Sequence, residues 1–298
     1  MACALDRCIS FGARLKKFPI SALPALIWFL VFLVAPLFIV LSFGFAKRGL
    51  HGGLLPEFTF ENYLRVLDPI YLGIFAASLK LATITAFSCL VLGFPIAYWM
   101  AVAGPRAKAL LIALVVLPFW TNFVVRAFAI RTFLADEGPV NHALSRLAII
   151  DQPYPFANSS VSIWLGMVSS YLPFMILPLY VAIDKLDFTM LEAARDLGAR
   201  SWQVFFRILI PLNRDGIVTG LLFVFTPALG EFVIPDLLGG ARAILLGNLV
   251  TDQFLRARDW PFGSALSLLL MFCSMLALGA YLRMIQWDSK IAGRGQNA

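Results

Sequence analysis

Apolar residues in this chain come in long uninterrupted runs separated by short polar segments. Six runs are long enough to cross about 30 Å of hydrocarbon as helices. They lie at approximately Ile20–Phe45, Leu72–Val102, Ala109–Ile130, Val161–Ile183, Gly216–Leu238 and Phe262–Ile285. No ten-residue alternating pattern recurs, which argues against a membrane β-barrel. The pattern predicts an all-α, polytopic membrane protein with six transmembrane helices. No internal repeat, low-complexity run or interdomain linker stands out, so one membrane domain at 20–287 is expected. It would lie between a tail at 1–19 and a tail at 288–298. The first run is too long for a signal-peptide core and no Ala-x-Ala-like site follows it, so it is expected to remain as a span.

Composition strengthens the membrane assignment. The 298 residues are 60% hydrophobic and 14% charged, with mean hydropathy +0.85. A soluble domain has nearly twice that share of charge. The net charge of +7 does not point to nucleic acid, because the positive residues follow topology. With the N-terminus inside, fourteen of the 24 Lys and Arg fall on inside segments and eight on outside ones, leaving Lys80 and Arg126 within spans. That bias puts both termini and the 184–215 loop in the cytoplasm.

The 184–215 loop is the longest polar interruption, and it reads as two short helices. Thr189 followed by Glu192 has the spacing of a capping box. Ala193 and Ala194 favour helix and leave one face nearly bare. Gly198 suits the left-handed residue after a helix end. Ser201 can cap a second helix whose Trp202, Phe205, Phe206 and Leu209 recur at i, i+3, i+4 and i+7. Pro211 ends it. The local pattern fits a docking knob for another protein and fits equally a plain helical hairpin between two spans.

Polar residues inside the spans supply the candidate chemistry. Lys80 and Arg126 are expected to snorkel toward the outer face. Pro118-Phe119-Trp120-Thr121-Asn122 predicts a kinked helix beside a polar cavity, with Trp120 and Asn122 on the path. Tyr171, near Pro173, is either a path residue or a core tyrosine bonded to a neighbouring helix. Glu231 lies between Pro227, Gly230 and Pro235. A carboxylate at that depth must face water or the bundle interior, as a counter-charge for a cation or as a buried structural acid. Asp236 sits nearer the outer end, on the path or in a solvated vestibule. Outer loops carry turn signals at Gly52-Gly53 and Pro56, a short helix from Glu61-Asn62-Tyr63, and another near Asn141–Ile150. The four cysteines form no CxxC pair, and His51 and His142 have no companion ligands, so no metal site is expected. No paired acids, Ser–His arrangement or metal cluster suggests catalysis.

Glu192-Ala193-Ala194, three residues, Gly198, nine residues, Ile208 and then Pro211 together resemble the EAA loop of bacterial ATP-binding-cassette importer permeases, with Ile210 where that family usually has Leu. Pro118–Asn122, Leu172–Tyr180, Glu192–Ala199, Gly230–Gly240 and Arg258-Asp259-Trp260-Pro261 resemble the spermidine/putrescine permeases of that group. The resemblance implies a type I importer permease in a bacterial inner membrane. Its partners would be a second, usually non-identical permease, two ATP-binding subunits and a periplasmic polyamine-binding protein. It implies that Glu192, Ala193, Ala194, Asp196, Gly198 and Pro211 couple the chain to the ATPase. The chain has no Gly-Lys dipeptide, hence no P-loop, so ATP and Mg are expected on the partner and no cofactor on this chain. Polyamines are ammonium groups on methylene chains, which suits aromatic faces and a few carboxylates. The rival readings are the same architecture importing an amino acid or another small cation, an ion-coupled secondary transporter, and an intramembrane enzyme.

Overall fold

The computed structural model describes residues 23–49, 53–150, 152–240 and 244–295, with side chains as far as Met284. The expected tail 1–19, Cys3, Cys8 and His51 lie outside the described residues. Thirteen helices are described: α1 Leu23–Gly44, α2 Glu61–Val66, α3 Pro69–Val102, α4 Pro105–Val116, α5 Phe123–Phe133, α6 Pro139–Arg146, α7 Ser160–Asp184, α8 Thr189–Asp196, α9 Ser201–Leu212, α10 Arg214–Leu229, α11 Val233–Leu238, α12 Leu246–Leu255 and α13 Trp260–Gly295. The short strands β1 Ala46–Arg48 and β2 Leu54–Phe58 form an antiparallel hairpin.

Four helices, α1, α3, α7 and α13, are each long and apolar enough to cross a membrane. Two bent pairs bring the number up to six. In the first, α4 and its 3₁₀ extension Leu117–Trp120 meet α5 at 95°. In the second, α9 meets α10 at 70°. The third expected span is therefore broken rather than merely kinked. The fifth stops at Leu229, well short of Leu238, because Gly230 is a poor helix former and a new helix begins at Val233.

Helices α3, α7 and α10 pack against one another to form the main core. Small residues Ala82, Ala86, Cys89 and Ala97 of α3 let Met167, Met175 and Leu179 of α7 approach closely, as helix pairs in lipid require. On α10, Val224, Ala228 and Leu229 complete the core. Helix α1 rests mainly on α13 and is exposed over most of its length, with Gly44 buried at its end.

The first loop is a hairpin, and Pro56 lies inside β2 rather than at a turn. Pairing runs Arg48 to Leu54 and Lys47 to Leu55, then jumps to Ala46 opposite Phe58. The skipped stretch holds Pro56, which has no N–H to donate to a ladder. Helix α2 starts at Glu61 as expected, and α6 overlaps the helix expected near Asn141–Ile150 but runs only Pro139–Arg146.

Asp259 ties this end of the molecule together. It is fully buried and accepts from Arg65 at 2.8 Å and Arg48 at 3.4 Å. Its other oxygen accepts from the Phe262 amide at 3.3 Å, capping α13. The Arg65 guanidinium also lies over the Phe262 ring, 4.0 Å from its centroid. Asp259→Ala removes the cap and both ion-pair contacts. Because the arginines are partly solvated, the expected loss is about 2–3 kcal/mol, read as a lower Tm of the solubilised protein. An unchanged Tm would contradict this.

Candidate transport path and coupling surface

Where α10 ends, backbone groups are freed inside the bundle, and each needs a partner. Glu231 supplies two of them. Its Oε1 accepts from the amides of Val233 at 2.9 Å and Ile234 at 3.3 Å, so the carboxylate caps α11. Its Oε2 accepts from the hydroxyl of buried Tyr171 on α7. Pro235, third residue of α11, has no N–H where none is needed. The carbonyl of Phe232 accepts from Asn248 Nδ2 at 2.9 Å, and the carbonyl of Leu238 accepts from Ser162 Oγ at 2.7 Å. Gly247 lets α12 close on the break, because a Cβ there would sit 2.6 Å from the carbonyl oxygens of Gly230 and Glu231.

The first break is closed in the same way. Asn122 is the N-cap of α5, its Oδ1 accepting from the Val124 amide at 2.8 Å. Arg126 does not snorkel outward. Its guanidinium folds back to donate to the Pro118 carbonyl and, at 3.1 Å, to Thr121 Oγ1. The two breaks communicate through rings. Phe119 meets Phe174 edge-on at 4.9 Å, and Phe174 lies 6.3 Å from Tyr171, which holds Glu231.

Of the five expected path residues, only Tyr171 and Glu231 touch each other. Trp120 is 88% exposed beside its break, and Asp236 is exposed on α11. None of the five lines the large cleft of about 720 Å³ between α7 and α10. That cleft is walled by Phe119, Phe174 and Phe223, with Lys185 and Asp215 at one end. Sequence reading missed Phe174 and Phe223 because a phenylalanine in an apolar run carries no local signal of facing a cleft.

The 184–215 loop folds as two helices, with different caps from those expected. Thr189 is the first residue of α8 rather than its cap, so the Thr189–Glu192 box does not form. Asp187 takes that place, accepting from the Thr189 amide at 3.0 Å and hydroxyl at 2.7 Å. Those two bonds hold the Asp187 carboxyl below its usual range. Glu192 is exposed, in the first turn, where its charge complements the helix dipole. Gly198 has φ +87° and closes a Schellman turn, its amide bonding Arg195 O at 2.8 Å while Ala199 bonds Ala194 O at 3.0 Å.

Leu191 anchors α8 in the core, while Met190, Ala193 and Leu197 form an exposed ridge at i, i+3 and i+7. Leu197 is 89% exposed. Asp196 is exposed as well. Helix α9 departs from the expected stripe. A π turn at Phe205–Leu209 puts Val204 and Leu209, five apart, on the buried face and leaves Trp202 and Phe206 exposed. Ser201 is the first residue of α9 rather than its cap. Pro211, which has no N–H for the Arg207 carbonyl, lies one residue before the end at Leu212. At the same end of the bundle, Lys108 Nζ donates to Asp184 at 2.5 Å and joins the start of α4 to the end of α7. Among the described residues, no group of three His, Cys, Asp or Glu side chains could hold a metal ion.

Residues 18–286 match the family model described as "Binding-protein-dependent transport system inner membrane component". The chain is 42% identical over 256 residues to the spermidine/putrescine transport system permease protein PotB of Salmonella typhimurium strain SL1344, covering 86% of this chain and 89% of that protein. Its identity to PotB of Escherichia coli K12 is 41%, covering 86% and 93%. The inner membrane ABC transporter permease protein YdcU of E. coli K12 is 30% identical, covering 78% of each chain. Among solved structures, a chain of a bacterial ABC transporter involved in the import of alginate superposes with TM-score 0.69 at 21% identity, covering 97% of this chain and 99% of that one. A second alginate transporter structure, in complex with a periplasmic protein bound to alginate pentasaccharide, gives TM-score 0.72 at 18% identity, covering 96% and 97%. These two show the shared fold.

The capping geometry orders three variants by stability. Glu231→Ala removes the acceptor from two α11 amides and from a buried phenol, for an expected loss of about 2–4 kcal/mol. Glu231→Gln keeps one acceptor and Tyr171→Phe removes only the phenol donor, so each is expected to cost about 1 kcal/mol. Thermal unfolding of the purified protein checks the order. Equal Tm for Glu231→Ala and wild type would show that the cap carries no stability.

Proposed function

The chain belongs to the binding-protein-dependent transport system inner membrane component family, and on that premise we propose that it is a permease subunit of an ATP-driven polyamine importer in a bacterial inner membrane. The observation that carries the substrate class is the 41–42% identity to PotB relatives across 86% of the chain. Two further features support the reading. The ridge of Met190, Ala193 and Leu197 offers an apolar surface on a helix anchored from behind by Leu191. The cleft walled by Phe119, Phe174 and Phe223 presents aromatic faces to a methylene chain with ammonium groups, and Asp215 supplies a carboxylate. A path built this way binds weakly enough to release its cargo.

In this reading α8 docks on an ATP-binding subunit, with the 184–215 loop and both termini in the cytoplasm. A second permease completes the path and a periplasmic binding protein delivers the polyamine. Closure of the ATPase moves α8, and α7 and α10 follow through the shared core. The break at Gly230–Phe232 is where that tilt is absorbed, because its backbone is already released from the helix. Exposed Asp236 and Trp120 then meet the cargo at the far end of the path, and Glu231 and Tyr171 keep the break in register. Lys185, which lines the same cleft as Asp215, is the one feature that suits a zwitterionic amino acid instead.

Uptake into proteoliposomes holding the complete transporter decides between them. Labelled putrescine is expected to accumulate only with ATP and to be competed by spermidine but not by amino acids. Competition by an amino acid would favour the second substrate class, and uptake by this chain alone on an ion gradient would support a secondary transporter. Gly198→Val is expected to stay in the membrane and lose uptake by at least about tenfold. A β-branched residue at φ +87° costs more than the 1–2 kcal/mol of an ordinary left-handed residue. Wild-type uptake in that variant would separate α8 from coupling.

A further inference from the structure

A second cleft, of about 500 Å³, opens between α3 and the start of α7, away from α8. Its walls are apolar, including Leu81, Ile84, Val161, Trp164 and Ile244, and a single cation, Lys80, lines it. Lys80 is exposed and its amine has no hydrogen bond or ion pair among the described residues. A charge in hydrocarbon without a partner is costly, so its depth matters.

Depth follows from the helices. The 25 residues of α7 span about 37 Å, somewhat more than the hydrocarbon core, so its first residues lie at headgroup level. Ser160, the first of them, lines the same cleft as Lys80. Trp164, one turn further in, is a residue type enriched at that boundary, and its indole donates to Ser88 at 3.1 Å.

Below Lys80 the exposed face of α3 continues as Ile84, Phe87 and Val91, at helical spacings of four, three and four residues. A cationic head position leading into an apolar stripe has the outline of a phospholipid. We propose that this cleft holds one anionic phospholipid, its phosphate on the Lys80 ammonium and one acyl chain along Ile84, Phe87 and Val91. The unpartnered ammonium selects for an anionic headgroup. The apolar stripe needs a chain to cover it, which neither a free phosphate nor an acidic protein loop provides.

The complete transporter in nanodiscs of phosphatidylcholine, with and without phosphatidylglycerol, tests this. Phosphatidylglycerol is expected to raise the Tm of wild type, and native mass spectrometry is expected to find it retained. Lys80→Gln should match wild type in phosphatidylcholine, lose the gain from phosphatidylglycerol and retain it about tenfold more weakly, the worth of one charge-assisted hydrogen bond. Ile84→Trp should lose the gain with Lys80 still present, because the larger ring fills the cleft. Equal gains in wild type and both variants would overturn the proposal. So would a gain reproduced by inorganic phosphate, or a Lys80→Gln defect confined to capture of the substrate-binding protein.

Discussion

In hydrocarbon a broken helix persists only if every freed N–H and C=O finds a partner within the protein. The bond set around Glu231 supplies several of those partners at the end of α10. One carboxylate oxygen takes the amides of Val233 and Ile234, and the other takes the Tyr171 hydroxyl. Asn248 and Ser162 then satisfy the carbonyls of Phe232 and Leu238. Around those contacts the chain leaves α10 at Leu229 and starts α11 at Val233. The first break obeys the same rule through Asn122 and Arg126. A carboxylate, an amide and a guanidinium, each expensive at such depth, are here the means by which irregular backbone is tolerated.

Between the breaks and the exposed knob lies continuous packing. Leu191 of α8 belongs to the same core as Met175 and Leu179 of α7 and Val224 of α10. The Lys108–Asp184 pair adds a tie at the end of α7 nearest α8. Tyr171 lies further along α7 and reaches across to Glu231. In the proposed mechanism, a displacement of α8 is passed to the packed helices α7 and α10. The proposed hinges are the places where side chains have replaced helix hydrogen bonding.

Much of this fold was legible in the sequence because lipid leaves few choices. Long apolar runs mark spans, and Gly198 followed by Ala199 marks a Schellman end, since few residues other than glycine adopt φ +87°. The clustering of Pro227, Gly230, Glu231 and Pro235 marked an unusual site within the expected span Gly216–Leu238, although not that the helix would stop at Leu229 or that Glu231 would cap its successor. The Arg258-Asp259-Trp260-Pro261 string enters only as part of a family resemblance, and only the structure shows that Asp259 caps α13 and gathers Arg48 and Arg65 from some 200 residues earlier. Pairings that distant leave no trace in local pattern. The α8 cap was misread because Asp187 and Thr189 are both good capping residues and their competition depends on backbone angles. The α9 stripe was misread because a π turn shifts the register by one residue, and a period of 3.6 cannot anticipate that.

In the proposed mechanism, displacement of α8 reaches the Glu231 break through α7 and α10 and is absorbed there. The most direct measurement places a cysteine at Phe232, exposed within the break, and follows its modification by a maleimide in the assembled transporter with and without a non-hydrolysable ATP analogue. The expected result is a labelling rate that changes on nucleotide binding and does not change when Gly198 is replaced by valine. Identical rates with and without nucleotide, or a change that survives the Gly198 replacement, would contradict it.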